Sequence, residues 1–198
     1  AAANRTRVGI NNNNPIFRLH INETTGNYGE GIALTNGATT WEILNAFTTN
    51  FWFNYAGAWV GWISSVNGSY NAISDKRLKT NIRPMETILD RVMQLKVSRY
   101  EYIKNNPSKI QSIGFIAQEV EPLFPEVVSK QETNDPNAEI KDQYGMDYAG
   151  MSVIAIKAIQ EQQKIIETQS ASISELKAEN KSVQEIKAAL EEKDKKEI

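Results

Sequence analysis

From Met151 onward the chain carries neither proline nor glycine, and apolar or amide residues recur at Ile159, Gln162, Ile166, Gln169, Ile173, Leu176, Asn180, Val183 and Leu190. Steps that alternate three and four are the heptad spacing, and Glu and Lys fill the outer positions. A seam kept up for about four to five heptads predicts one long helix over residues 151–198. Left alone, that helix would show its apolar stripe to water, so a self-associating coiled coil is expected. Gln162, Gln169 and Asn180 stand at core-type positions, where polar residues give up stability and can fix register or strand number. The pattern is compatible with two strands or three, and the competing reading is a charged, solvated single helix.

The rest of the chain divides by charge. Residues 1–73 hold three acidic side chains, Glu23, Glu30 and Glu42, whereas the last 48 residues are dense in Glu and Lys. A boundary near Ser74 follows, giving a β-rich segment over 1–73, a small mixed head over 74–150 and the helix over 151–198. The expected fold class is therefore α+β. A net charge of −2 supplies no electrostatic ground for a nucleic-acid partner. Without cysteine there is no disulfide or thiolate site, and with His20 as the only histidine no metal site and no Ser-His-Asp triad is expected. No apolar run reaches the roughly 18 residues that cross a bilayer, so no membrane partner is expected. The Ala1-Ala2-Ala3 start lacks the apolar region of a signal peptide and reads as the edge of a fragment.

In the first segment, short runs over 7–10, 17–21 and 31–34 are separated by Asn, Gly and Thr at 11–15 and 24–29, the pattern of strands joined by turns. All four tryptophans lie between Trp41 and Trp62, interleaved with Phe47, Phe51, Phe53 and Tyr55. Such a segment suits strands with aromatic faces. So much aromatic surface needs a cover: neighbouring copies of the chain, or a glycan lying on an aromatic platform. Beyond Pro84 the spacing of Met85, Ile88, Leu89 and Val92 predicts a helix over 85–93. A strand is expected over 96–103 with Val97, Tyr100 and Tyr102 inward, then a turn-rich corner at 122–125 and an exposed polar loop over 131–143.

At the seam stands Ser74-Asp75-Lys76-Arg77-Leu78-Lys79-Thr80-Asn81-Ile82. A serine hydroxyl is a poor nucleophile and needs a base. His20 falls in a predicted strand and is expected to be structural, which leaves lysine. Lysine serves as a base only where burial or neighbouring cations, such as Lys76 and Arg77 here, pull its pKa from about 10.4 towards about 7 to 8. Ser74 and Lys79 are five apart, roughly 140° around a regular helix, so they do not share a helical face. They meet in an irregular turn, or across two chains.

This run, followed by Ile113-Gly114-Phe115-Ile116-Ala117-Gln118-Glu119-Val120, by Phe124-Pro125-Glu126-Val127-Val128 and by residues 148–163, resembles the intramolecular chaperone domain of phage endosialidases and tail fibres, the S74 peptidase family. The resemblance implies a domain that trimerises, guides the folding of the β-fibre preceding it in the same chain, and then releases itself by a Ser-Lys dyad, which maps onto Ser74 and Lys79. It implies no cofactor, and a place in a virion tail fibre or a cell-surface fibre. The expected cut is Ile73-Ser74, because a serine reaches its own preceding carbonyl through a small ring. Asp75 is a candidate to orient Lys79 or to cap the turn. The competing function is a structural trimeric fibre or adhesin end with a glycan-binding aromatic surface and no cleavage.

Overall fold

The computed structural model describes residues 7–22, 31–46, 49–133 and 135–194. The expected turn over 24–29, together with Glu23, Glu30 and Phe47, lies outside the described residues. The chain is α+β and forms two compact units, residues 1–82 and 83–198.

In the first unit β1 (Val8–Ile10) and β2 (Leu19–Ile21) pair in parallel. His20 is structural in its contacts: Nδ1 accepts from the Ile16 N–H at 3.4 Å, and the ring meets Phe17 edge-on. The main element is an antiparallel sheet of β3 (Ile32–Asn36), β4 (Thr39–Ala46), β5 (Asn50–Tyr55), β6 (Ala58–Ile63) and β7 (Tyr70–Ala72), joined in sequence order. The β5–β6 turn places Ala56 and Gly57 at φ 50° and 80°. That is the turn whose twist suits a hairpin, and the Asn54 side chain accepts from the Gly57 N–H.

Strand alternation separates the aromatic residues onto two faces. Trp52, Trp59 and Trp62 cluster on one, with ring centroids 4.7 and 5.0 Å from Trp52. Leu44 and Asn54, fully buried, share it through the pairs Leu44↔Trp52 and Asn54↔Trp59. The other face carries Leu34, Trp41, Tyr55, Ile43, Phe53, Phe51, Ile63 and Tyr70 by register. Of these Leu34, Trp41, Phe51, Tyr55 and Tyr70 are exposed.

The second unit is built on α1 (Leu89–Val92), α2 (Ala117–Val120) and α3 (Tyr148–Asp194), with two hairpins, β8–β9 (Ser98–Glu101, Gln111–Gly114) and β10–β11 (Val128–Glu132, Asp142–Met146). Its core is Ile88, Val120, Phe124, Val127, Met151 and Ile154. The helix α3 runs 47 residues, about 70 Å at 1.5 Å per residue. It starts three residues before the expected Met151, because Asp147 caps it by accepting from the Gly150 N–H at 3.0 Å. Only its first turns are buried: Met151, Ile154 and Ala158 pack inward, while Ile159, Ile166, Ile173, Leu176, Val183 and Leu190 are all exposed.

Three expectations need correction. The helix expected over 85–93 is confined to Leu89–Val92. Its first N–H groups are not capped locally; Ile88 and Leu89 donate to the Glu161 carboxylate at 2.9–3.2 Å, which fixes the start of α1 against α3. In the strand expected over 96–103, Val97 and Tyr102 are exposed and Tyr100 alone of the three is half-buried, since the ladder runs only from Ser98 to Glu101. The loop expected over 131–143 is entered by strands from both sides, with Glu132 opposite Asp142. Lys130 relieves that like-charge pair by bridging Asp142 at 3.2 Å and Glu132 at 3.6 Å.

Burial pushes the Glu161 carboxyl up. The N–H groups of Ile88 and Leu89 and the Lys157 ammonium, 3.1 Å away, outweigh this and hold it below its ordinary value. A carboxylate with a depressed folded pKa stabilises above its unfolded value and loses that contribution as pH falls through the folded one. Glu161→Ala is therefore expected to lower the unfolding midpoint by roughly 5 °C at neutral pH. The gap to wild type should close as pH drops below the ordinary Glu range of about 4.3. A gap unchanged down to about pH 2 in thermal melts would show that packing, not charge, carries the effect.

Candidate active site

The segment from β7 to Ile82 lies in the first unit. β7 pairs with β6 through Gly61↔Ala72, Trp62↔Asn71 and Ile63↔Tyr70, and the ladder continues as the Ile73 N–H donates to the Val60 carbonyl at 3.2 Å. On its other side β6 meets β5 with a register shift, from Phe53↔Gly61 to Asn54↔Trp59, which leaves Val60 without a partner residue in that ladder. The close approach requires glycine at 61: a Cβ there would stand 2.7 Å from the Asn71 carbonyl oxygen. The residue before Ser74 is thus held by a sheet.

After Ser74 the chain makes one 3-10 turn, Lys76–Leu78, closed by Leu78 N–H to Asp75 O and Lys79 N–H to Lys76 O, each 3.1 Å. Asp75 is its N-cap, accepting from the Arg77 N–H at 2.8 Å. Lys79 then leaves in extended backbone, φ −120° and ψ 144°. Three residues per turn followed by an extended one bring back a side chain that the α-helical period would throw aside. Lys79 Nζ donates to Ser74 Oγ at 2.6 Å within one chain. Asn81 follows at φ 54°, a conformation that Asn adopts more readily than most residues.

Both members of this pair are exposed. Asp75, the candidate orienting residue, has both oxygens on Arg77: Oδ1 accepts from Nε at 3.1 Å and Oδ2 from Nη2 at 2.6 Å. The side-chain bond from Arg77, and after it the backbone bond, hold the Asp75 carboxyl below its ordinary value, and the Arg77 guanidinium is raised in turn. Arg77 was the neighbour that sequence reasoning weighed only as a cation; the Asp-x-Arg spacing across a three-residue turn was the signal available. Chemically the pair offers a hydroxyl and an amine at hydrogen-bond distance, the geometry of nucleophile and general base. Among the described residues no group of His, Asp, Glu or Cys side chains could hold a metal ion. No helix among them is long and apolar enough to cross a membrane.

Residues 74–129 match the family model Peptidase_S74, the chaperone of endosialidase. Over 150 residues the chain is 31% identical to the long tail fiber protein Gp37 of Enterobacteria phage M1, covering 72% of this chain and 57% of that protein. The Gp37 long tail fiber protein of Enterobacteria phage Ox2 is 30% identical over the same span and shares. The chain therefore spans 57% of the length of these curated relatives. A solved structure of a novel intramolecular chaperone superposes with a TM-score of 0.35 at 19% identity, covering 46% of this chain and 98% of that one. The match to the Peptidase_S74 family, the chaperone of endosialidase, thus begins at the serine of the pair and runs through residues 74–129.

Proposed function

We propose that the chain is the chaperone end of a phage tail fibre, which assembles as a homotrimer, folds the β-fibre ahead of it and then cuts itself between Ile73 and Ser74. The observation that carries this reading is the 2.6 Å contact between Lys79 Nζ and Ser74 Oγ, directly after a residue pinned to a sheet. Ser74 Oγ attacks the Ile73 carbonyl carbon while Lys79, as the free amine, takes the hydroxyl proton. The Ile73-Ser74 C–N bond breaks, Lys79 returns the proton to the leaving Ser74 amine, and an ester joins Ile73 to Ser74 Oγ. Water hydrolyses the ester, leaving an Ile73 carboxylate and a serine with a free amine and hydroxyl. No cofactor enters the balance.

The exposure of Ser74 and Lys79 in the single chain supports a link between cutting and assembly. In water a lysine is an ammonium with no lone pair to offer; closing a trimer over the turn would remove that water and favour the neutral amine. The stripe of α3 from Ile159 to Leu190 supports a coiled coil, and the exposed apolar face of the five-stranded sheet supports packing between copies. Cutting then follows correct assembly, and the fibre left behind persists through a high unfolding barrier.

N-terminal sequencing of the released fragment tests the bond. Its first residues are expected to read Ser-Asp-Lys-Arg, and any other first residue sinks the assignment of Ile73-Ser74.

A further inference from the structure

Of the three cations in the turn, Lys76, Arg77 and Lys79, it is Arg77 that holds the only carboxylate between residues 74 and 82. We propose that Arg77 is a positioning residue for self-cleavage, which keeps the Asp75 carboxylate away from Lys79. The inference rests on the reading of Ser74 and Lys79 as nucleophile and base.

The geometry states the competition. Asp75 and Lys79 are four residues apart on either side of the turn, and the Asp75 oxygens are both occupied by one guanidinium fork. A guanidinium matches a carboxylate with two parallel donors, where an ammonium offers a point charge. The fork therefore wins the carboxylate. Were Lys79 to win it instead, the pairing would favour the ammonium, which has nothing with which to take the serine proton. Among the described residues Lys79 makes no ion pair, and its hydrogen bond goes to Ser74.

Other charges do not substitute for Asp75. Among the described residues of the first unit the charged groups are Arg7, Arg18, Glu42, Asp75, Lys76, Arg77 and Lys79. Glu42 lies within β4, paired across the ladder with Asn54 and Ala33. The Arg77 side chain is 87% exposed, and an exposed ion pair contributes little to folding. Its removal is accordingly expected to change the dyad and leave the sheet intact.

The test is the rate of self-cleavage of the refolded full chain, followed on denaturing gels from about pH 6 to about pH 10, for wild type, Ser74→Ala, Arg77→Ala and Asp75→Asn/Arg77→Ala. Arg77→Ala is expected to cut about tenfold more slowly at neutral pH, with the acid limb of its profile displaced upward by about one pH unit. The double variant is expected to bring the limb back to the wild-type position, because no carboxylate is left to capture Lys79. If Arg77 merely shaped the turn, the double variant would be as impaired as the single one. An Arg77→Ala limb that does not move, or a double variant that keeps the displaced limb, overturns the proposal while the dyad stands. A wild-type chain that is never cut, or a Ser74→Ala chain cut like wild type, overturns the dyad and this inference with it.

Discussion

Lys79→Ala is expected to slow cutting at Ile73-Ser74 by about 10²- to 10⁴-fold, the usual contribution of a positioned general base. Ser74→Ala is expected to abolish it, since no other oxygen stands at the Lys79 amine in the turn. Both side chains are exposed, so both variants should keep the sheet and the helices, and intact mass after prolonged incubation should find the chain at its full 198 residues. Lys79→Arg separates two roles that alanine confounds. Arginine preserves a cationic hydrogen-bond donor near Ser74 but does not lose its proton in proteins. A base requirement therefore predicts that Lys79→Arg is as inactive as Lys79→Ala, whereas a requirement for positive charge or for a donor predicts substantial cutting. Cleavage of either lysine variant at the wild-type rate would place the base elsewhere.

The identity of the pair was legible in the sequence, but its distance was not. Five residues on a helical period put Ser74 and Lys79 on different faces. The structure reaches 2.6 Å because Asp75 caps a single 3-10 turn and Lys79 then extends. Nothing in the spacing chooses a three-residue turn over an α-helical one; the turn that forms is capped by Asp75, which accepts from the Arg77 N–H. The helix α3 was legible for the opposite reason. Its stripe is exposed and regular, so periodicity alone describes it, and only the start was displaced by the Asp147 cap. The hairpin β10–β11 hides because most of its residues face water, and alternation vanishes where neither face is apolar. The start of α1 depends on a carboxylate 73 positions along the chain, beyond any local signal.

Phe124→Ala is expected to destabilise the second unit by about 3–5 kcal/mol, the range for emptying a buried aromatic site. Phe124 is fully buried among Ile88, Val120, Val127, Met151 and Ile154, residues drawn from the start of α1, the end of α2, the turn after Phe124 and the first turns of α3. Collapse around the lost ring would have to move four elements together, and those elements are tied by other bonds. The Arg91 guanidinium lies 4.9 Å over the ring while Nη1 donates to the Leu123 carbonyl at 3.1 Å, and Glu161 fixes α1 against α3. The cavity therefore stays largely open, and the cation–π contact is lost with the ring. Against a domain stability of about 5–15 kcal/mol this is a large share. Hydrogen exchange should show deprotection of residues 117–128 and of the first turns of α3. Tryptophan fluorescence should stay as in wild type, because all four tryptophans lie between Trp41 and Trp62 in the first unit. If assembly through the second unit switches the dyad on, the same variant should also cut more slowly although Ser74 and Lys79 are untouched. Unchanged cutting in a chain whose second unit has lost protection would separate self-cleavage from assembly and refute the coupling.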